Sequence, residues 1–274
     1  VAGTGCRRPG QSRAQEATHC TDPITLHTAP LTPARRTRHA SFKDAAMPRQ
    51  LYELAGEDPA RRFSPYCWRT RMALAHKGLE AEVIPWRFTE TDRLAFAGSD
   101  KVPVLVDGDH VLHDSTPIAE YLDQAYPNAP ALFRGDPAAR HFVLAWTNAV
   151  LHPALIRLIV ADIPAVLDPH ARSYFITSRE ARFGMTLAQV AAGRDEQLPH
   201  LRALLAPLRH VVVASNFLGG AMPDYADYAV FGAFQWARCV SPYKLLDESD
   251  PVFAWRGRML DLFGGLARHV PAFD

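Results

Sequence analysis

The chain has 274 residues, 48% apolar and 22% charged, the make-up of an ordinary globular protein able to bury a sizeable core. Lys and Arg total 30 against 29 Asp and Glu, a net charge of +1, which gives no basic footprint for nucleic acid or an acidic membrane. The longest apolar runs, such as Val211–Ala214, fall far short of the ~20 residues that span a bilayer, and four scattered cysteines (Cys6, Cys20, Cys67, Cys239) are too sparse for a disulfide framework, which points to a reduced, cytoplasmic protein.

Residues 1–46 differ from everything after them. Seven basic residues (Arg7, Arg8, Arg13, Arg35, Arg36, Arg38, Lys43) face three acids, large apolar residues are few, and no period is visible. Such a stretch cannot bury enough surface to offset its ordering entropy, so disorder is expected. Three readings compete: a functional tail, an organelle transit peptide without the usual amphipathic period, or upstream sequence ahead of a natural start at Met47.

The folded part opens with Gln50–Leu54, whose alternation reads as a strand. Trp68–Lys77 carries Met72, Ala73 and Leu74 at helical spacing and stops at Gly78. Ala81–Trp86 is a second strand, so this unit is a parallel crossover. Residues 89–100 read as irregular. Strands over 102–106 and 110–112 then flank Asp107-Gly108-Asp109, a hairpin signal, and a helix follows over Ser115–Tyr126. Pro and Gly punctuate a linker over 127–137. Beyond it helices are expected over 137–160, 170–191, 195–210, 224–240 and 251–268, with an amphipathic stripe of Leu198, Leu201, Leu204, Leu205 and Leu208. Asp224 precedes an apolar run with Asp227 three residues on, the pattern of a capping box opening a central helix. The expected fold is α+β: a thioredoxin-like domain with a mixed four-stranded sheet over 47–130, then an all-helical domain over 137–274.

Three short motifs carry chemistry. Phe63-Ser64-Pro65-Tyr66-Cys67-Trp68 places a hydroxyl at a helix start, where backbone N–H groups and the helix dipole favour an anion. Lys101-Val102-Pro103-Val104 supplies a backbone edge beside it, and His113-Asp114-Ser115-Thr116 opens another helix with polar side chains. Taken singly each has a plain structural reading: Ser64 and the Asp114–Ser115 pair as N-caps, Pro103 as the first residue of a strand. The twelve histidines show no metal-ligand spacing, and no metal is expected. Cys239 reads as core. Of the five tryptophans, Trp86 and Trp146 are candidates for a pocket wall.

Residues 47–274 resemble the cytosolic glutathione transferases along their whole length. Within them the likeness is closest to the bacterial lignin β-etherases and the fungal etherase-like transferases. Ser64-Pro65-Tyr66 with Trp68-Arg69-Thr70, Ala75-His76-Lys77-Gly78, Val102-Pro103-Val104, Ile118–Asp123, Leu218-Gly219-Gly220 ahead of Ala226-Asp227-Tyr228, and Phe263-Gly264-Gly265-Leu266 carry it. The resemblance implies glutathione as co-substrate, an electrophilic or aromatic acceptor, and a homodimer. It implies Ser64 as the residue that hydrogen-bonds the sulfur, and Val102 as the backbone edge for the cysteinyl unit. Pro103 would be the cis-proline shaping that edge, Ser115 and Asp114 the grip on the γ-glutamyl carboxylate and amine, and Lys101 a partner for the glycyl carboxylate. Asp114 departs from the family, where Glu is common. Two other readings stay open. One is a non-catalytic binder of glutathione or an aromatic ligand. The other is a glutaredoxin-like thiol transferase, because Ser64-Pro65-Tyr66-Cys67 is a Cys-Pro-Tyr-Cys dithiol motif with its first cysteine replaced.

Overall fold

A computed structural model describes residues 48–273. The expectations for the tail 1–46, for Met47 as a start, and for Cys6 and Cys20 lie outside the described residues.

Strands β1 (Gln50–Leu54) and β2 (Glu82–Trp86) run parallel, joined by helix α1 (Pro65–His76). The hairpin of β3 (Val104–Asp107) and β4 (His110–His113) adds to the other side of β1, and helix α2 (Ser115–Ala125) follows. The sheet order is β2-β1-β3-β4, mixed as expected. Pro85 lies within β2, where it is tolerated because that strand is at the edge. Two differences from the sequence reading have local causes. β3 begins at Val104 rather than Val102, since Pro103 has no N–H for the ladder. Residues 89–100 are not wholly irregular: Thr91–Ala97 forms a 3-10 turn that buries Leu94 and ends at Gly98, with φ +61°.

The helical domain contains the expected helices, but most are broken. α3 (Pro137–Trp146) and α4 (His152–Ile159) are joined by a π-helical turn, Thr147–Leu151, into one run. By length and composition alone Pro137–Ile159 is able to cross a membrane, a property that counting uninterrupted apolar residues misses; here it packs against the central helix and the helix over 194–204. α5 (Pro169–Phe183) stops at Gly184 (φ +68°), and α6 (Leu187–Ala192) restarts at a Thr186–Gln189 capping box. α7 (Arg194–Leu204) and α8 (Ala206–Ala214) are separated at Leu205, just before Pro207, which lacks the N–H to continue the ladder. Leu201, Leu205 and Leu208 of the expected stripe are buried, with Leu198 and Leu204 less so.

The central helix is α9 (Tyr225–Val240), buried along nearly its whole length. Its start is a capping box: the Asp224 carboxylate accepts from Ala226 N at 2.9 Å and that of Asp227 accepts from Asp224 N at 3.1 Å. Asp227 also accepts from Leu218 N (2.8 Å), Gly219 N (2.9 Å) and Trp255 Nε1 (3.0 Å), so a buried carboxylate is held by donors on every side. α10 (Pro251–Gly265) ends in a kink, where Phe263 (φ +54°) and Gly264 (φ +67°) leave the helical region and place the Phe263 ring against His76 and Tyr228.

α1 lies on α9, and this packing joins the two domains. Gly232 makes it possible: a Cβ there would stand 2.4 Å from the carbonyl oxygen of Pro65. Gly232→Ala is therefore expected to destabilise the protein in urea unfolding, because overpacking against backbone costs about 1–3 kcal/mol and exceeds the roughly 1 kcal/mol of helix propensity gained. Gly257→Ala in α10, where a Cβ meets nothing within 4 Å, is the control that keeps the gain alone.

Candidate functional site

Ser64 is the N-cap of α1. Its backbone is extended (φ −65°, ψ 126°), its Oγ accepts from Cys67 N at 3.3 Å, and Pro65 holds the first helical position. Accepting that bond still leaves the hydroxyl one hydrogen to donate, since a hydroxyl donates once and accepts twice; the Cys67 sulfur is also within its reach. Ser64 is only 5% exposed, and the loop before it is tightly held. Trp68 Nε1 donates to Arg62 O (2.9 Å), Glu57 N to Val166 O (2.9 Å), and Arg61 Nη1 to Cys239 O (2.8 Å). The last two bonds reach the helical domain.

The Val102–Pro103 peptide bond is cis, as expected. Ladder pairing of β3 begins at Val104, so Val102 lies outside the β1–β3–β4 register. Lys101 projects into solvent, 80% exposed, with Asp100 at 3.8 Å.

Asp114 is the most unusual residue of the set. Its backbone (φ +68°, ψ 133°) occupies a region that L-residues rarely adopt. Its carboxylate makes no capping bond to α2; it is 72% exposed and meets His113 Nδ1 at 3.3 Å. Asp114 is thus not a helix cap in the ordinary sense. Ser115, at the first position of α2, is buried near the Tyr225 hydroxyl, which meets Thr116 Oγ1 at 3.3 Å. Tyr225 opens α9, so the start of α2 is also tied to the central helix.

Cys67, one turn inside α1, is fully buried, and desolvation with the nearby Glu53 carboxylate pushes its thiol up to about 12. Burial pushes Cys239 up to about 12 against nearby arginines, and it is core, as expected. Trp86 is core too, its Nε1 bonded to Glu90 O at 2.7 Å, which removes it as a pocket wall; Trp146 is half-buried.

A cavity of about 880 Å³ lies elsewhere, at the far end of the sheet between Arg49, Glu82, Asp107 and Tyr126. Its polar groups already satisfy one another: Arg49 pairs with Asp107 at 3.0 Å, and the Tyr121 and Tyr126 hydroxyls donate to the same carboxylate. The chemistry-bearing motifs do not border it. The starts of α1 and α2, which carry two of them, both meet α9.

A family model described as "Glutathione S-transferase, N-terminal domain" matches residues 63–125, and one described as "Glutathione S-transferase, C-terminal domain" matches 138–260. Glutathione S-transferase U28 of Arabidopsis thaliana is 33% identical over 210 residues, covering 72% of this chain and 81% of the relative. The chain belongs to the glutathione S-transferase family. Other curated relatives match over less. Glutathione S-transferase Z1 of Arabidopsis thaliana is 38% identical over 89 residues, 29% of this chain and 40% of the relative. The chain spans less than half the length of several of the relatives it matches. Among solved structures, the glutathione S-transferase CsGST63524 of Ceriporiopsis subvermispora, in complex with glutathione, superposes with a TM-score of 0.69 at 24% identity, covering 82% of this chain and 99% of that one. That likeness shows the shared transferase fold: a thioredoxin-like domain followed by a helical one.

Sequence reasoning passed over a group beside Ser64. Tyr66 stacks over the guanidinium of Arg69 at 4.7 Å and its hydroxyl lies 3.4 Å from His152 Nδ1. Arg69 Nη2 donates to Asn148 Oδ1 at 2.8 Å. Burial keeps His152 neutral, its imidazole pushed down to about 3. Tyr66 and Arg69 stood inside a quoted motif. His152 and Asn148 lie some eighty residues away and carry no local signal.

Backbone strain at Asp114 gives a direct expectation. Asp114→Gly should raise the melting temperature, because relieving an unfavourable positive φ is worth about 1–3 kcal/mol and exceeds the ~1 kcal/mol entropic cost of glycine. A fall in melting temperature would show that the carboxylate, not the backbone, dominates this position.

Proposed function

We propose that this chain is a glutathione transferase in which Ser64 activates the thiol of glutathione for attack on an electrophilic, aromatic acceptor. The observation that carries the reading is the Ser64 hydroxyl at the start of α1, with its oxygen accepting from Cys67 N at 3.3 Å. A thiol of pKa roughly 8.5 is only a few per cent ionised at neutral pH. A charge-assisted hydrogen bond from Ser64, with the N-terminal end of the α1 dipole behind it, stabilises the thiolate without a general base. In this reading Val102 pairs through its backbone with the cysteinyl unit, and the cis Pro103 presents that edge. Ser115 holds the γ-glutamyl carboxylate, Asp114 its amine, and the exposed Lys101 reaches the glycyl carboxylate. Strain retained at Asp114 supports a ligand-facing role, since it is not offset by a capping bond.

The acceptor reading follows the etherase-like motifs. The thiolate displaces an aryloxy group from a carbon next to a carbonyl, forming a thioether and releasing a phenol. The protein is read as a cytoplasmic homodimer, so sedimentation at micromolar concentration should give the mass of two chains; a stable monomer would remove that part alone. A glutaredoxin-like activity is disfavoured by specific chemistry: a serine cannot form the mixed disulfide, and Cys67 is buried with its thiol pushed up to about 12.

Ser64→Ala separates catalysis from ligand binding. Losing a hydrogen bond to a charged group costs about 1.5–3 kcal/mol, a rate loss on the order of ten- to a hundredfold at neutral pH, with glutathione affinity nearly intact and the bound thiol titrating higher. Unchanged rate and titration would leave Ser64 only a cap and its catalytic assignment wrong. Ser64→Cys should gain disulfide exchange with Cys67.

A further inference from the structure

The group around Tyr66 has no part in holding glutathione as assigned above, yet it stands beside Ser64. Tyr66 is at the second position of α1, and helical side chains lean toward the N-terminus of their helix, here the Ser64 end. Its ring is 40% exposed, over the buried Arg69 and His152. His152 and Asn148 come from the α3–α4 run of the helical domain, so Tyr66 lies at the junction of the two domains. Ser64 and Tyr66 share the first turn of α1, so in this reading an acceptor attacked by a sulfur at Ser64 comes within reach of Tyr66.

The partners of Tyr66 determine what its hydroxyl can do. His152 is neutral, so one ring nitrogen carries a hydrogen, and Nε2 is buried with no partner. Buried N–H groups without a partner are rarer than unused acceptors. That assigns the hydrogen to Nδ1, which donates to the Tyr66 oxygen and leaves the phenolic hydrogen pointing outward. Arg69 adds a fixed positive charge under the ring. It is 1% exposed, and no carboxylate among the described residues pairs with it. A buried, unneutralised cation favours negative charge nearby.

We propose that Tyr66 donates a hydrogen bond to the phenolic oxygen of the acceptor as that oxygen takes up charge, with Arg69, Asn148 and His152 as positioning residues. This rests on the transferase reading and extends it to the leaving group. The thiolate sulfur forms the new bond to carbon, the carbon–oxygen bond breaks, and its electron pair goes to the oxygen held by Tyr66. The phenolate departs and takes its proton from water. Electrophiles whose leaving group is an aryl oxide are therefore selected over those that lose a halide.

The test compares the full chain with Tyr66→Phe on an α-aryloxy ketone and on a benzyl halide. It adds binding of 4-nitrophenolate, followed by its absorbance in the presence of glutathione. Removing one donor aimed at developing charge is expected to lower kcat/KM on the aryloxy ketone by about ten- to a hundredfold. That loss should exceed the loss on the halide by about tenfold or more. Dependence of the rate on the basicity of the leaving phenol should steepen, and nitrophenolate binding should weaken. His152→Gln should give the same pattern at smaller size. Equal losses on both acceptors, together with unchanged nitrophenolate binding, would overturn the proposal. If the parent protein turns over neither acceptor, the transferase reading fails. The nitrophenolate measurement still decides whether Tyr66 holds an aryl oxide.

Discussion

The contact on which the rest of the molecule depends is the close approach of α1 to α9 at Gly232. A helix backbone rests directly on another helix there, with the carbonyl of Pro65 where a side chain would otherwise be. This fixes the first turn of α1, and so Ser64, relative to the central helix of the other domain. Trp68, Phe231 and Phe234 are buried in the surrounding core. Protein interiors pack too densely to absorb even one extra methyl group at such a contact without movement. The site is consequently held from both domains, by the sheet below and α9 behind.

Around that frame the polar groups fall into two kinds. Some are fully satisfied: Asp227 by backbone and indole donors, and Asp123 by Leu132 N, Phe133 N and Lys77, which together hold its carboxyl below the usual range against the opposing effect of burial. Others keep unused capacity; some, such as Thr70 and Gln235, lie within helices, and three stand at the helix starts. The Ser64 hydroxyl retains a donor, Asp114 retains an exposed carboxylate on a strained backbone, and the Tyr66 hydroxyl retains a donor over a buried cation. Spare bonding capacity in a well-packed protein is where ligands are expected.

What was legible in the sequence is what short-range chemistry writes. β1, α1, the β3–β4 hairpin and the Asp224–Asp227 box follow from alternation, caps and turn residues, and appear close to where they are expected, with α1 starting earlier at Pro65 and β3 later at Val104. The breaks after Phe183 and at Leu205 escape a periodicity reading, because amphipathic spacing runs on through so short an interruption. The kink at Phe263 was missed for another reason: only tertiary packing against His76 and Tyr228 puts a phenylalanine at positive φ. Similarly, Trp86 looked like a wall and is core, because its indole finds Glu90 O within the same turn. His152 was invisible beside Tyr66, since nothing in the intervening chain marks that contact.

Pro85 has a consequence for how this protein meets others. An outer strand normally offers a row of free N–H and C=O groups, an invitation to any extended chain nearby. The β1–β2 register runs unbroken past Pro85, but that residue has no N–H to present on the open side. Sheet extension is thereby blunted at β2, so intermolecular strand addition, whether by a peptide or by a second sheet, is directed to the opposite margin at β4.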